Sequence, residues 1–108
     1  MHLFAGLRVR DFASSRPWYE QLLGEPSMFP NDIEAVWTVA DDRSVYIVEH
    51  PSFGNSVVTI MVDDLDGVLA AIASRGLAPD SREVYDNGVR KMTFRDPDGN
   101  EVAFGGMP

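Results

Sequence analysis

The sequence carries the same pattern of residues twice, and this repeat limits the folds that the chain can adopt. The stretch LFAGLRVRDF alternates apolar and other residues as a β-strand does, and SVVTIMVDDL repeats that alternation. Each stretch passes through an acidic residue into a helical run that ends on a glycine, Gly24 in the first copy and Gly76 in the second. Aligning Val9 with Val62 gives a shift of 62 − 9 = 53 residues, about half of the 108-residue chain. The pattern predicts a duplicated βαβββ unit.

Local signals place the elements within each copy. Ser14 or Ser15 is predicted to cap the first helix, with Pro17 in its first turn, and Asp64 or Asp66 is predicted to cap the second. Two alternating runs follow each helix: AVWTVA and SVYIVEH in the first half, VRKMTF and EVAF in the second. The first half also has a polar segment, GEPSMFPNDIE, which is predicted to be a loop.

Neither copy is expected to be stable alone. A single βαβββ unit cannot cover both faces of its sheet, so the two units must pack against each other. We therefore expect one α+β domain over residues 1–108, with a first module at about 1–52 and a second at about 53–108.

The amino-acid composition and net charge limit the partners and the cellular location that the protein is expected to have. Hydrophobic residues make up 44% and charged residues 24%, which is typical of a soluble globular protein. The N-terminal segment lacks the pattern of a signal peptide, so a cytoplasmic location is expected. The absence of cysteine excludes disulfides and thiolate sites. The formal charge of −8 disfavours nucleic acid and membrane surfaces as partners and favours a neutral or cationic small molecule.

Three stretches of the sequence together resemble one known family. RVRDFASSRPWYEQLLG, MVDDLDGVLAAIASRG and FRDPDGNEVAFGG are similar to motifs of the vicinal oxygen chelate superfamily of glyoxalases, bleomycin-resistance proteins and extradiol dioxygenases. The resemblance covers nearly the whole chain. It implies two tandem βαβββ modules that form a curled mixed sheet with a concave cleft. Catalytic members hold a divalent metal ion in this cleft with two His and one or two Glu, and the ion acts as a Lewis acid.

Three of the family's metal-ligand positions correspond here to residues that cannot bind a metal. The first His corresponds to Phe4, the second His to Val57 and the terminal Glu to Ala103. A fourth position falls on Ile47 or on Glu49. The first three side chains have no lone pair to offer, so we expect a metal-independent protein without a cofactor.

A displaced metal site remains as an alternative from the enzyme class. It would combine His2, Glu49 and Glu101, and it needs several changes of strand register at once. Otherwise His2 and His50 are expected at the surface or at strand edges.

The turn DPDGN, residues 96–100, contains residue types that both a chemical site and a tight turn use. Proline at the second turn position, glycine where φ is positive, and Asp or Asn side chains that bond to nearby backbone are the chemistry of a turn. The segment is predicted to be structural, with positive φ at Gly99.

Strand alternation predicts which residues line the cleft. On the first strand Leu7 and Val9 face the helix, so Phe4 and Arg8 face the cleft. Ala103 is expected to leave open room there. The predicted ligand-binding residues are Phe4, Arg8, Trp37, Ile47, Val57, Thr59, Met61, Glu101 and Ala103, of which Ile47 is placed by hairpin alignment and Trp37 by being a large aromatic in an adjacent strand.

These observations favour a non-catalytic protein that binds or sequesters a small aromatic or drug-like molecule, as bleomycin-resistance proteins do. The resemblance implies a homodimer with the groove at the subunit interface. Two alternatives stay open: a glyoxalase-like lyase or dioxygenase with displaced metal ligands, and a structural dimer that binds no ligand.

Overall fold

The computed structural model describes residues 1–107, which fold into two βαβββ modules in tandem. Module 1 contains β1 (Leu3–Val9), α1 (Phe12–Leu23), β2 (Met28–Asn31), β3 (Glu34–Ala40) and β4 (Arg43–Glu49). Module 2 contains β5 (Val57–Met61), α2 (Leu65–Ser74), β6 (Ser81–Val84), β7 (Arg90–Arg95) and β8 (Glu101–Gly106). The predicted fold is confirmed. Neither helix has the length and apolarity that crossing a membrane requires.

The strands form two four-stranded sheets with equivalent orders. The order is β1-β4-β3-β2 in module 1 and β5-β8-β7-β6 in module 2. In each sheet the first strand pairs in parallel with the last, and the remaining pairs are antiparallel. Strands β1 and β5 therefore each have one edge without a strand partner among residues 1–107.

Helix α1 begins earlier than the sequence predicted. Its N-cap is Asp11, whose carboxylate accepts the backbone N–H of Ser14 at 3.0 Å. Ser14 and Ser15 therefore lie inside the helix, and Pro17 falls in the second turn. The earlier start places the ring of Phe12 in the core, where it is buried. Burial of this ring decides between capping residues of nearly equal intrinsic preference.

Module 1 contains a strand where the sequence predicted only a loop. Strand β2 pairs with β3, with Met28 opposite Val36 and Asn31 opposite Glu34. All four residues of β2 are exposed. An edge strand with no buried face shows no apolar alternation, and this one contains Pro30, so its sequence reads as a loop.

One hydrophobic core joins the two modules on the helix side of both sheets. Helix α2, capped by Asp64 as predicted, contributes Leu65 and Ile72. In α1 the fully buried aromatic is Tyr19, whereas Trp18 is only half-buried. The buried members are Leu7, Val9, Phe12, Tyr19, Leu22, Ala35, Trp37, Val45, Ile47, Leu65, Ile72, Met92, Phe94, Val102 and Phe104. The sheet faces that point away from the helices lie outside this core.

Candidate ligand-binding site

The side of each sheet that points away from its helix is called the concave face. On β1 the alternation is clear, because Leu7 and Val9 are fully buried while Phe4 and Arg8 are exposed. Strand pairing extends the assignment to the neighbouring strands. The candidate site on the concave face comprises Phe4, Gly6, Arg8, Tyr46, Val57, Thr59, Met61, Glu101 and Ala103.

Two of the predicted lining residues lie on the helix side instead. Ile47 pairs with Leu7 and Trp37 pairs with Val45, and both side chains belong to the core. The Trp37 indole N–H donates a hydrogen bond to the Gly24 carbonyl at 2.8 Å. The prediction that Trp37 and Ile47 line the cleft is therefore wrong. Strand alternation gives the spacing of residues on one face, but the hairpin register decides which face they share.

Ala103 lies on the concave face but is not open to solvent. It pairs with Thr59 on one side and Thr93 on the other, and only 1% of its surface is exposed. The expectation of open room at Ala103 is wrong. The alanine methyl group is shorter than the side chains of the two flanking strands, and these side chains shield it from solvent.

Module 1 presents a row of aromatic rings on the concave face. The His2 ring stacks on Phe4 with 4.3 Å between centroids and 21° between planes. The His2 Nε2 atom lies 2.8 Å from the Ser44 hydroxyl oxygen. The Tyr46 ring lies across Gly6, where an added Cβ atom would overlap it. Half of the Phe4 side chain, 54%, stays exposed, so its ring is accessible to a ligand.

The DPDGN turn links the two modules. The Tyr19 hydroxyl of α1 donates a hydrogen bond to the Asp96 carboxylate at 2.7 Å, and the Asn100 side-chain amide donates to the Arg8 carbonyl at 2.9 Å. Asp96 and Asn100 are both buried. Burial, and next the hydrogen bond to Asp96, raises the pKa of the Tyr19 phenol above its ordinary value.

The polar groups of the turn are engaged with backbone rather than turned towards the concave face. Asp96 accepts the backbone N–H groups of Asp98 and Asn100 at 2.9 and 2.8 Å. Asp98 accepts the backbone N–H of Arg10 at 2.9 Å. Gly99 has φ of +86°, so the predicted positive φ is confirmed. The turn acts in this structure as a connection between modules.

Comparison with known protein families shows which family has this architecture. The model of the glyoxalase/bleomycin resistance protein/dioxygenase superfamily matches residues 2–104. The chain belongs to this superfamily. The resemblance found in the sequence is thereby confirmed. A solved glyoxalase/bleomycin resistance protein from Catenulispora acidiphila DSM 44928 is similar to the chain, with 47% identity, coverage of 100% of this chain and 99% of that one, and a TM-score of 0.94. No curated protein matches the chain.

More distant superfamily structures share the fold at low identity. A bleomycin-binding protein complexed with bleomycin has 20% identity and a TM-score of 0.75, with 100% of this chain and 99% of that chain covered. A lactoylglutathione lyase from Agrobacterium tumefaciens has 15% identity and a TM-score of 0.77, with coverage of 98% and 92%. Since a binding protein and a lyase both have this fold, the fold does not assign the function, and the site residues must do so.

Taken with the correspondence expected from the sequence, the strand register places the fourth metal-ligand position on a different residue. Ala103, the position of the terminal Glu, pairs with Thr59. The repeat shift gives 59 − 53 = 6, and Gly6 pairs with Tyr46. Tyr46 is therefore the module 1 counterpart of Ala103, whereas the sequence placed this position on Ile47 or Glu49. The repeat alone does not find this residue, because 103 − 53 = 50 falls on His50, so the pairing of β1 with β4 was required.

The side chains at the four positions do not fit a metal ion. Phe4, Val57 and Ala103 offer a phenyl ring, an isopropyl group and a methyl group, and Tyr46 alone offers an oxygen. Metal centres of this kind need three or four nitrogen, oxygen or sulfur donors. The donor chemistry of the superfamily's metal site is not present at these positions.

The residues of the displaced site do not come together. His2 contacts Ser44, Glu49 accepts the backbone N–H at the start of α1 at 3.0 Å, and Glu101 forms an ion pair with Arg95 at 2.8 Å. Within the described part of the chain, no group of three or more His, Cys, Asp or Glu side chains is placed to hold a metal ion. The alternative with His2, Glu49 and Glu101 thus lacks the geometry that it requires.

Proposed function

We propose that the protein is a non-catalytic member of its superfamily that binds a small aromatic molecule without a metal ion. The observation that carries the proposal is the set of side chains at the four ligand positions, Phe4, Tyr46, Val57 and Ala103. Lewis-acid catalysis needs a held metal ion, and one phenol does not hold it. Rings and aliphatic groups instead suit stacking and shape-dependent binding.

A homodimer that completes the groove is part of the proposal. Strands β1 and β5 have free edges and carry exposed apolar side chains, including Leu3, Phe4, Val57 and Met61 at 64%, 54%, 64% and 62% exposure. A groove of about 350 Å³ lies beside the candidate site, with which it shares Thr59 and Met61, and its other lining residues include Leu3, Ala5, Val58 and Ile60. Association with a second copy would cover both edges and bury this apolar surface, which supports the dimer.

Metal analysis of protein purified without an affinity tag tests the first part. We expect less than stoichiometric zinc, nickel, iron or manganese, and no lyase or dioxygenase activity after addition of these ions. A stoichiometric ion together with activity would establish the enzyme with displaced ligands instead.

Two matched valine variants test the groove. Val57 and Val84 are both exposed strand valines, at 64% and 71%, but only Val57 belongs to the candidate site. Val57→Asp is expected to abolish binding of neutral naphthamide in calorimetry and to weaken dimerisation in sedimentation. Val84→Asp is expected to leave both unchanged. A wild-type dimer that binds no aromatic probe would leave the ligand-free structural dimer as the function.

A further inference from the structure

The strand residues of the concave face carry no net formal charge, although the chain carries a formal charge of −8. Most acidic residues lie in turns, loops and helices. Strand pairing places only three acidic and three basic residues on the concave face, and 3 − 3 = 0. These are Glu34, Glu83, Glu101, Arg8, Lys91 and Arg95. Exposed charges farther away than roughly 8 Å are largely screened at physiological salt, so the net charge does not describe the field that a bound ligand meets.

Arg8 is the basic residue of this face that lacks an acidic neighbour. Arg95 is paired with Glu101 at 2.8 Å, and Lys91 lies directly opposite a glutamate in the β6–β7 pair. Arg8 instead lies opposite the apolar Val48, and its exposed guanidinium forms no ion pair within residues 1–107.

Arg8 also lies next to the aromatic row. Alternate residues of a strand share a face and are about 7 Å apart, so β1 presents Phe4, then Gly6 beneath the Tyr46 ring, then Arg8. The hydroxyls of Tyr19 and Tyr85 are hydrogen-bonded in the described chain, whereas that of Tyr46 is not. An exposed phenyl ring, a guanidinium and a phenol hydroxyl without a hydrogen-bond partner among residues 1–107 thus lie along one face of module 1.

We propose that the ligand is an aromatic carboxylate, with its ring against Phe4 and Tyr46 and its carboxylate on the Arg8 guanidinium. This inference rests on the proposed function and reverses the ligand charge expected from the net charge. The planar guanidinium donates two parallel hydrogen bonds to a carboxylate, a geometry that a neutral amide does not match. Because Arg8 is exposed, the expected preference is moderate, roughly tenfold in Kd.

Calorimetry with three probes of one size tests the charge. Naphthoate is expected to bind roughly tenfold more tightly than naphthamide, and naphthylmethylammonium is expected to bind most weakly. Added salt is expected to weaken the binding of naphthoate and to leave the affinity for naphthamide unchanged. The ammonium probe binding most tightly, or equal affinities for all three, would overturn the inference.

Two arginine variants separate a local interaction from a general effect of charge. Arg8→Gln is expected to abolish the preference for naphthoate while naphthamide affinity is retained, since the backbone contacts of Arg8 do not use its side chain. Arg82→Gln makes the same charge change at an exposed β6 residue without an ion pair, and it is expected to keep the preference.

The possible outcomes distinguish the charge of the ligand from the binding function itself. Naphthamide binding without a charge preference rejects the aromatic acid, and a preference that survives Arg8→Gln rejects Arg8 as the group that binds the carboxylate; both outcomes leave the proposed function standing. If none of the probes binds, both the aromatic-acid ligand and the proposed binding function are rejected. Circular dichroism establishes that the Arg8 variant is folded.

Discussion

Tyr19→Phe removes one hydroxyl from the contact between the modules. Tyr19 is fully buried, and its hydroxyl donates to the Asp96 carboxylate at 2.7 Å. A hydrogen bond to a charged group contributes about 1.5–3 kcal/mol net. The Asp96 carboxylate keeps the Asn100 side-chain amide at 2.9 Å, so it is not left without partners. We expect the free energy of unfolding to fall by about 2 kcal/mol, with a Tm lower by about 10 °C.

Tyr85→Phe is the matched control for this measurement. The Tyr85 hydroxyl also donates to a carboxylate, that of Glu83, but at 3.1 Å on an exposed strand end. Such a bond competes with water, so its loss is expected to change stability by less than about 0.5 kcal/mol. Urea denaturation followed by circular dichroism gives both values.

The pH dependence provides a second readout of the same bond. Unfolded Tyr19 ionises near its ordinary pKa of 10.0, whereas burial and the Asp96 carboxylate raise the pKa of the folded phenol. The folded state then keeps a proton that the unfolded state loses. This contribution to stability is complete below pH 10 and is lost as the pH rises above it. The difference between wild type and Tyr19→Phe should shrink there by about 1.4 kcal/mol per pH unit.

Equal stabilities of Tyr19→Phe and Tyr85→Phe would show that the turn does not join the modules through this bond. A difference from wild type that stays constant above pH 10 would refute the raised pKa.

Three further substitutions have defined outcomes. Gly99→Val is expected to destabilise the fold by about 1–3 kcal/mol in urea denaturation, because φ at Gly99 is +86° and β-branched residues rarely adopt it; full stability would contradict the turn geometry. Ala103→Phe is expected to lower stability by about 1–3 kcal/mol in the same assay, because the methyl group is buried; a stable variant that only blocks ligand would restore the open-groove picture. Gly6→Ala forces the Tyr46 ring to move, so naphthamide affinity in calorimetry should fall while the fold survives; unchanged affinity would remove Tyr46 from the site.

Local chemistry in the sequence was sufficient for the modules and for much of the site. The repeated strand and helix pattern predicted two βαβββ modules, and glycine at position 99 predicted positive φ. Alternation along β1 separated buried Leu7 from exposed Phe4 and Arg8. These features depend on residues close together in the chain, so the sequence specifies them directly.

Long-range pairing decided the rest. The register of the β3–β4 hairpin put Trp37 and Ile47 in the core and brought Tyr46 over Gly6, because a shift of one residue exchanges the two faces of a strand. No pattern near Tyr46 indicates this position.

The role of the DPDGN turn was likewise a product of the tertiary structure. The sequence predicted a turn, and it said nothing of Tyr19, which lies 77 positions before Asp96. The two meet because both modules bury their helix faces in one core, and a buried carboxylate must then find its donors wherever the packing brings them. The same packing leaves the concave faces of β1 and β5 uncovered within one chain, with Phe4 and Val57 exposed.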